Sequence, residues 1–521
     1  MTYLVSLDWD KEAFTVGEGG LSSNPEIQSE VSAGTGEELP APSILEVPLT
    51  SPHLQGDSIS PRLTHRETLR FFSPLAFSWL FMAIESPIAL SAISRLPDPL
   101  VSTAAFFMMM GIAIWIESPV IDLLSTSVTL ATDSKRYATI SRFVWVLMGL
   151  VTLTHLTVVA TPLYGFVSGS ILNLSPEVSE ATRLGLLIMT PWSAVIGWRR
   201  YLQGVLIRFG HTKAVGLGTA SRLVTMTTVT YGLFFTVELP SIAIVAIGLI
   251  ASVAADAAFA HWSSRRIVRT MFGKERRPKR WFNLGSRRSE IVPSALGVEP
   301  VPEDAPLSFR ELAAFHTPLT LTTMVMLVGS PLIGAFLFRT ASPVLATAGW
   351  QVATTLLFLL RTVLFALPEV VIALYDRPDG PRVLRSFCMC AGAIASAVLL
   401  LFSFTGLDSV FFERVLGADP ASSRFAHLCV LLCALTPLIN AAQSYFRGEL
   451  TKWRQTRVRL WAVLIGMLVL VASLLTCLSL GVRAEWMIAT SLTLSMAAEA
   501  VFLRLRAAAV AALTPPPAPA A

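Results

Sequence analysis

Charge is scarce in this chain. Of its 521 residues, only 14% are Asp, Glu, Lys or Arg, against about 25% in an ordinary soluble domain. That scarcity, with 53% hydrophobic residues and a mean hydropathy of +0.62, excludes a string of soluble globular domains. Cysteine is sparse as well: Cys388, Cys390, Cys429, Cys433 and Cys477 all lie within apolar runs. The i,i+4 spacing of Cys429 and Cys433 suits two metal ligands. No His, Asp or further Cys follows at ligand spacing, so a metal site is not expected and the cysteines read as small packing residues. No glycine-rich loop of the phosphate-cradling kind is present, which argues against direct ATP coupling and against a bound cofactor. No Ser/His/Asp set stands in a recognisable context either, which argues against an enzyme.

Residues 1–61 lack the apolar core of a secretory signal. They are acidic and rich in Ser, Pro and Gly, and cannot bury enough surface to offset their ordering entropy, so 1–65 reads as a disordered acidic tail. The Pro/Ala-rich stretch at 507–521 reads as a second, shorter one.

What the chain does have is long apolar runs. About 20 apolar residues cross a hydrocarbon core of about 30 Å. Twelve segments meet that length: 70–94, 101–125, 140–164, 182–206, 214–236 and 240–262, then 313–337, 344–374, 384–406, 425–446, 458–480 and 485–505. Runs of this length exclude barrel strands and predict an all-α integral membrane protein. Basic residues gather in alternate connections: Lys135, Arg136 and Arg142; Arg199, Arg200, Arg208 and Lys213; Arg377, Arg382 and Arg385; Arg447, Lys452, Arg454, Arg457 and Arg459. The positive-inside rule then places both termini in the cytoplasm of a plasma or inner membrane. The one long internal connection, 263–305, interleaves basic residues with aromatics. Directly after a membrane helix, that pattern fits a cytoplasmic linker held near anionic lipid headgroups better than a nucleic-acid patch.

The two halves repeat. Forty residues from Arg66 face forty from Arg310 without a gap, and twelve match, among them Pro74 with Pro318, Ser86-Pro87 with Ser330-Pro331, Arg95 with Arg339 and Pro99 with Pro343. The same offset of 244 pairs Tyr201, Gly204, Leu206 and Thr212 with Tyr445, Gly448, Leu450 and Thr456. Two homologous six-helix bundles follow, at 66–262 and 306–506, in the same orientation like the parallel halves of other transporters. Pro74, Pro87 and Pro119 recur as Pro318, Pro331 and Pro368 in the first two helices of each half. Proline removes a helical hydrogen bond and bends the helix, so these are candidate hinges.

Ionisable residues inside a membrane mark a functional path by default. Glu85, Glu117, Asp122, Asp256, Arg361 and Glu369 fall within the spans and are the candidate substrate- or ion-binding residues. Glu117 and Arg361 are equivalent positions of opposite charge at the 244 offset. Facing one cavity, they would pair in one state and exchange for substrate or proton in another; a permanent ion pair is the alternative reading. Glu85 and Glu117 are the candidate carriers of a coupling proton. Arg95 and Arg339, at the outer ends of the first helix of each half, are candidate gating residues or simply snorkel.

Twelve helices in two halves, with Pro-bent first and seventh helices, resemble the MOP flippase superfamily, which includes the multidrug and toxin extrusion (MATE) transporters. The segments "RFFSPLAFSWLFMAIESPIALSAISRL" and "ESPVIDLLSTSVTLATDSKRYATI" are most similar to its progressive ankylosis branch, through Pro74-Leu75, Asp122 and Ser134-Lys135-Arg136. The resemblance implies two bundles around a central cavity, working by alternating access and exporting a small organic solute against a proton or sodium gradient. That solute is an anionic metabolite if the ankylosis branch is the guide, or a drug-like cation if MATE is. Glu85 stands where many MATE proteins use an Asp for cation coupling, which puts that coupling in doubt. A flippase for a lipid-linked glycan and a non-transporting scaffold or receptor are the rival readings.

Overall fold

The computed structural model describes residues 62–209, 211–271, 307–453 and 455–513. The acidic tail, most of the basic linker and the last Pro/Ala residues lie outside them. Among the described residues the chain is helical throughout, and each half traces the same path. The first half comprises α1 (His65–Ile93), α2 (Pro99–Leu130), α3 (Ser134–Ala160), α4 (Pro176–Ile188 continued by Trp192–Arg208), α5 (Thr212–Thr236) and α6 (Ser241–Met271). The second comprises α7 (Phe309–Leu337), α8 (Pro343–Leu374), α9 (Gly380–Thr405), α10 (Pro420–Leu432 continued by Thr436–Lys452), α11 (Thr456–Ser479) and α12 (Ala484–Leu513).

Nine of these stretches are long and apolar enough to cross a membrane, and the bent pair that forms α10 makes ten. The other two, α4 and α5, are the expected spans 182–206 and 214–236. Both are helical, but α4 carries Arg183, Arg199 and Arg200 and α5 carries Arg222. Two boundaries move. Helix α6 runs on through Arg265, Arg266 and Arg269 into the expected linker, where cations at a helix C-terminus complement its dipole. Helix α12 continues past 506 to Leu513 because 507–513 is mostly alanine, the best helix former.

The repeat seen in the sequence has structural reasons. Arg66-Glu67 and Arg310-Glu311 match because each glutamate closes a capping box: Glu67 with Thr64 and Glu311 with Ser308, each satisfying two orphan donors at the start of α1 and α7. Tyr201 and Tyr445 match because each hydroxyl donates to a carbonyl of the third helix region of its half, that of Tyr137 at 3.2 Å and that of Pro381 at 3.3 Å. Gly204 and Gly448 match because the second half of α4 or α10 lies directly on its neighbour. A Cβ on Gly448 would sit 2.8 Å from the Val371 side chain, and one on Gly204 would overlap Ser127.

Four of the six candidate hinges, Pro87, Pro119, Pro331 and Pro368, lie beside breaks in their helices. Helix α1 breaks at Ile84 and α7 at Val328, each three residues before Pro87 or Pro331. Helix α2 breaks at Asp122, three residues after Pro119, and the matching stretch of α8, Thr362–Ala366, is a 3-10 turn followed by Pro368. The carbonyl of Trp115, which loses its partner at Pro119, accepts instead from the Ser118 hydroxyl at 2.7 Å. Pro74 and Pro318 are carried inside continuous helix. These breaks let the opening segment of each half cross to the other. The first part of α1 packs on α8 and α9, with Phe72 and His65 against Phe387; the first part of α7 packs on α2 and α3, with His316 and Phe309 against Phe143.

Helix α3 shows how its start is fixed. Asp133 is its N-cap, and Oδ1 accepts from the backbone N–H groups of Lys135 at 2.8 Å and Arg136 at 3.0 Å. Partial burial pushes the Asp133 carboxyl up, but these hydrogen bonds and the nearby Arg136 outweigh it and hold it below the usual carboxylate range. A depressed carboxyl stabilises the fold above its unfolded pKa and ceases to as pH falls through the folded one. Asp133→Ala is therefore expected to cost about 1 kcal/mol at neutral pH. The gap in melting temperature between wild type and variant should narrow as pH falls below about 4; a gap that does not shrink between about pH 5 and pH 2 contradicts the assignment.

Candidate functional site

Between the halves lies a cavity of about 580 Å³, walled mainly by Met, Phe, Leu and Trp side chains and lined by Glu85, Arg361, Arg447 and Glu499. Its polar groups come from a few helical positions. Ser86 and Thr355 bridge the two halves across it, Oγ to Oγ1 at 3.3 Å, and Gln351 donates to Thr355 at 3.3 Å.

Three of its four ionisable neighbours are engaged with a partner or two. Glu85, just past the α1 break, forms a forked ion pair with Arg222 of α5. Glu499 of α12 holds Arg447 of α10 and accepts from Gln443 at 3.3 Å. Arg361 differs. It ends the first segment of α8, its Nε is buried without a hydrogen-bond partner, and no described carboxylate pairs with it. Arg447 lies close enough to repel it.

The other half of the site is a buried charge cluster inside the first bundle. Arg199 of α4 donates to Asp256 of α6 at 2.8 Å, and Gln203 reaches both oxygens of the same carboxylate at 3.4–3.5 Å. This is the counterpart of the trio in the second half, with Arg and Gln exchanged by one helical turn: Arg199 and Gln203 hold Asp256, while Gln443 and Arg447 hold Glu499. Glu117 is buried in the same cluster, within electrostatic reach of Arg199, Arg200 and Arg222, and one of its oxygens has no hydrogen-bond partner.

The cavity does not bring Glu117 and Arg361 together: only Arg361 lines it. The kinked α2 turns Glu117 inward to its own bundle, so neither a shared cavity nor a structural pair joins them. Asp122 lies on the α2–α7 seam near His316 and Arg200, where His316 bridges Thr126 at 2.9 Å and the Pro119 carbonyl at 2.8 Å. Glu369 is exposed on α8 and faces Arg459. Asp256 is buried and paired.

Sequence reading placed Arg199, Arg200 and Arg447 among the loop charges; all three are inside helices, and Arg199 and Arg447 are in the buried pairs. It passed over Arg222 and Glu499. Signals for both existed: Arg222 is the only charged residue of 214–236, and Glu499 stands 243 residues after Asp256, one short of the repeat offset.

At the end of the molecule away from His65, the halves hold each other symmetrically. Each carries a π-helical turn, Phe166–Ile171 and Phe411–Val415, whose wide geometry leaves its last carbonyls free. Arg95 of the first half donates to the carbonyls of Arg414 at 2.9 Å and Val415 at 3.1 Å in the second. Arg339 of the second half donates to the carbonyl of Ile171 at 2.8 Å in the first. Ile171 and Val415 are equivalent by the 244 offset, so the two arginines are reciprocal clasps. Asn173, left-handed at φ 57° where the other half has Gly417 at 74°, adds a bond to the Phe338 carbonyl at 3.1 Å.

The fold is that of the MATE transporters of the MOP superfamily. An inward-facing multidrug-resistance MATE family transporter superposes with a TM-score of 0.62 at 12% identity, over 84% of this chain and 96% of its own. The eukaryotic MATE transporter AtDTX14 gives 0.58 at 12% identity, over 87% and 97%. A variant of the Vibrio cholerae MATE transporter VcmN gives 0.57 at 14%, over 86% and 98%. No protein-family model and no curated protein sequence matches the chain. At such identities the likeness establishes the architecture, and the function has to be argued from the residues.

Proposed function

We propose that this protein is a secondary transporter that exports a small organic anion by alternating access, coupled to a proton or sodium gradient. The observation that carries the reading is Arg361: a guanidinium beside an apolar cavity between two pseudo-symmetric bundles, with no carboxylate among the described residues to pair with it. A charge so placed is costly unless something neutralises it. A solute with a carboxylate or phosphate and an apolar body supplies both halves of what the cavity offers. The structural neighbours include multidrug transporters, which favours the cation reading. Against it, the carboxylates at the cavity, Glu85 and Glu499, are already tied to Arg222 and Arg447. A cation would have to displace an arginine to be held. The volume of about 580 Å³ suits a small molecule, within the range of about 300–1,000 Å³ for ligand pockets, better than a lipid-linked glycan.

Glu117, with an unpartnered oxygen next to three guanidiniums, is our assignment for the coupling ion. Both termini are assigned to the cytoplasm of a plasma or inner membrane, on the Lys/Arg asymmetry of the short loops. The basic linker, outside the described residues, is assigned to anionic lipid headgroups. The arginine clasps then close the outer face.

The test is uptake of labelled benzoate and 2-naphthoate into proteoliposomes under an imposed pH or sodium gradient. Hydrogen bonds to a charged group are worth about 1.5–3 kcal/mol, so Arg361→Ala should weaken anion uptake at least about tenfold, with Arg361→Lys retaining part of it. Uptake of 2-naphthylmethylammonium by the wild type, with no carboxylate transported, would overturn the anion reading.

A further inference from the structure

We infer that Gly329 and Gly466 set the size of the substrate whose anion Arg361 receives, an inference that rests on the anion reading above. The repeat shows what these two glycines replace. Offset by 244, Gly329 stands where the first half has Glu85, and Gly466 where it has Arg222. In the first half those two side chains fill the space between α1 and α5 as a buried ion pair. In the second half both side chains are missing together, and both glycines line the cavity.

Packing does not explain their absence. Many helical glycines of this chain lie where a Cβ would collide: 2.8 Å from Met148 at Gly197, 2.6 Å from Phe425 at Gly349, 2.6 Å from Ala441 at Gly392; others, such as Gly149, Gly216 and Gly232, meet nothing within 4 Å but do not line the cavity. Gly329 and Gly466 do not. A Cβ on Gly329 meets only the tip of Met467 at 3.5 Å, and one on Gly466 meets Ser495 at 3.5 Å and Glu499 at 3.6 Å, ordinary contacts in both cases. Their backbones are right-handed helix that any residue adopts. Glycine in mid-helix is itself destabilising relative to alanine. Two positions that accept a side chain and carry none, both opening on the same cavity, are there for the volume they leave.

The second observation is Arg361, at the position equivalent to Glu117, with its buried Nε unpartnered. The second half therefore carries no carboxylate at the positions of Glu85 and Glu117, and keeps a cation beside the vacated space. A bound solute restores what is missing: its anion takes the place of the protein's own carboxylate, and its apolar body occupies the volume over Gly329 and Gly466.

The experiment measures binding of benzoate, 2-naphthoate and pyrene-1-carboxylate to purified full-length protein in detergent, by quenching of tryptophan fluorescence; Trp350 lines the cavity. Gly466→Leu and Gly329→Leu should weaken pyrene-1-carboxylate at least tenfold and leave benzoate within twofold. Gly466→Ala should give the same ordering with a smaller step, and it keeps the test open if the leucine variants misfold. Loss of all three ligands equally, or of none, overturns the inference. If the wild type binds no carboxylate but the variants filter 2-naphthylmethylammonium and 1-pyrenylmethylammonium by size, the glycine inference stands and the anion reading falls. Binding of neither series by the wild type removes both.

Discussion

Replacing Asp256 with alanine is expected to lower the stability of the protein by about 3–5 kcal/mol, the usual result of removing one partner of a buried ion pair. The size follows from the surroundings. The Arg199 and Asp256 side chains are 3% and 1% exposed, the Arg199 Nε has no partner of its own, and Gln203 also depends on the same carboxylate. Without Asp256 the cluster in the first bundle keeps Arg199, Arg200 and Arg222 against Glu85 and Glu117, an excess of one positive charge in a buried region. Most of the loss is the penalty of the stranded guanidinium rather than the worth of the pair. Asp256→Ala with Arg199→Met should therefore recover most of it. Arg483→Ala, at an exposed guanidinium paired with Glu485, should change stability by less than about 1 kcal/mol. Thermal unfolding in detergent measures all four proteins. A melting temperature for Asp256→Ala equal to that of wild type would show that the pair is not structural.

That cluster also marks the boundary of what the sequence discloses. Helix positions, the 244-residue repeat and the proline sites were all legible, because apolar length and a shared offset survive in one dimension. Glu85, Asp256 and Arg361 were legible as charges in apolar runs. Their partners were not. Arg199 and Arg447 are near the ends of their hydrophobic segments, where a counting rule for loop charge absorbs them, yet α4 continues to Arg208 and α10 to Lys452, more than one further turn in each case. The direction of a side chain on a bent helix is equally invisible in sequence. Glu117 and Arg361 are equivalent by count, but α2 and α8 are interrupted next to them in different ways, and only one of the two residues reaches the cavity. The clasps were half legible. The symmetric Arg95 and Arg339 stood out, whereas their acceptors are backbone carbonyls, which no residue type announces.

Removing both clasps should move the protein toward a state open on that face. Arg95 spans three consecutive carbonyls of the opposite half, Arg414, Val415 and Leu416, at 2.9, 3.1 and 3.4 Å, and Arg339 takes that of Ile171 at 2.8 Å. Each arginine is anchored on its own helix by a carbonyl one turn back, Ser91 for Arg95 and Ala335 for Arg339, so the guanidinium is held in place before it meets the other half. Hydrogen bonds to a charged group are worth about 1.5–3 kcal/mol, but both arginines are exposed at the rim, and solvent screening leaves about 1 kcal/mol for each. Arg95→Ala with Arg339→Ala should then shift the balance of closed and open states by about 2 kcal/mol, roughly thirtyfold. The measurement is the rate at which a membrane-impermeant maleimide, added on the clasp side, labels Ser330→Cys in the cavity, with exposed Cys390 replaced by serine. The double variant should label about thirtyfold faster than its parent, and each single variant about fivefold faster. An unchanged rate would show that the clasps do not hold the closed state. An equal rise for reagent added on the opposite face would show general loosening instead. The reciprocal geometry makes a sharper demand: each single variant must act, because each clasp adds its own share to the stability of the closed state.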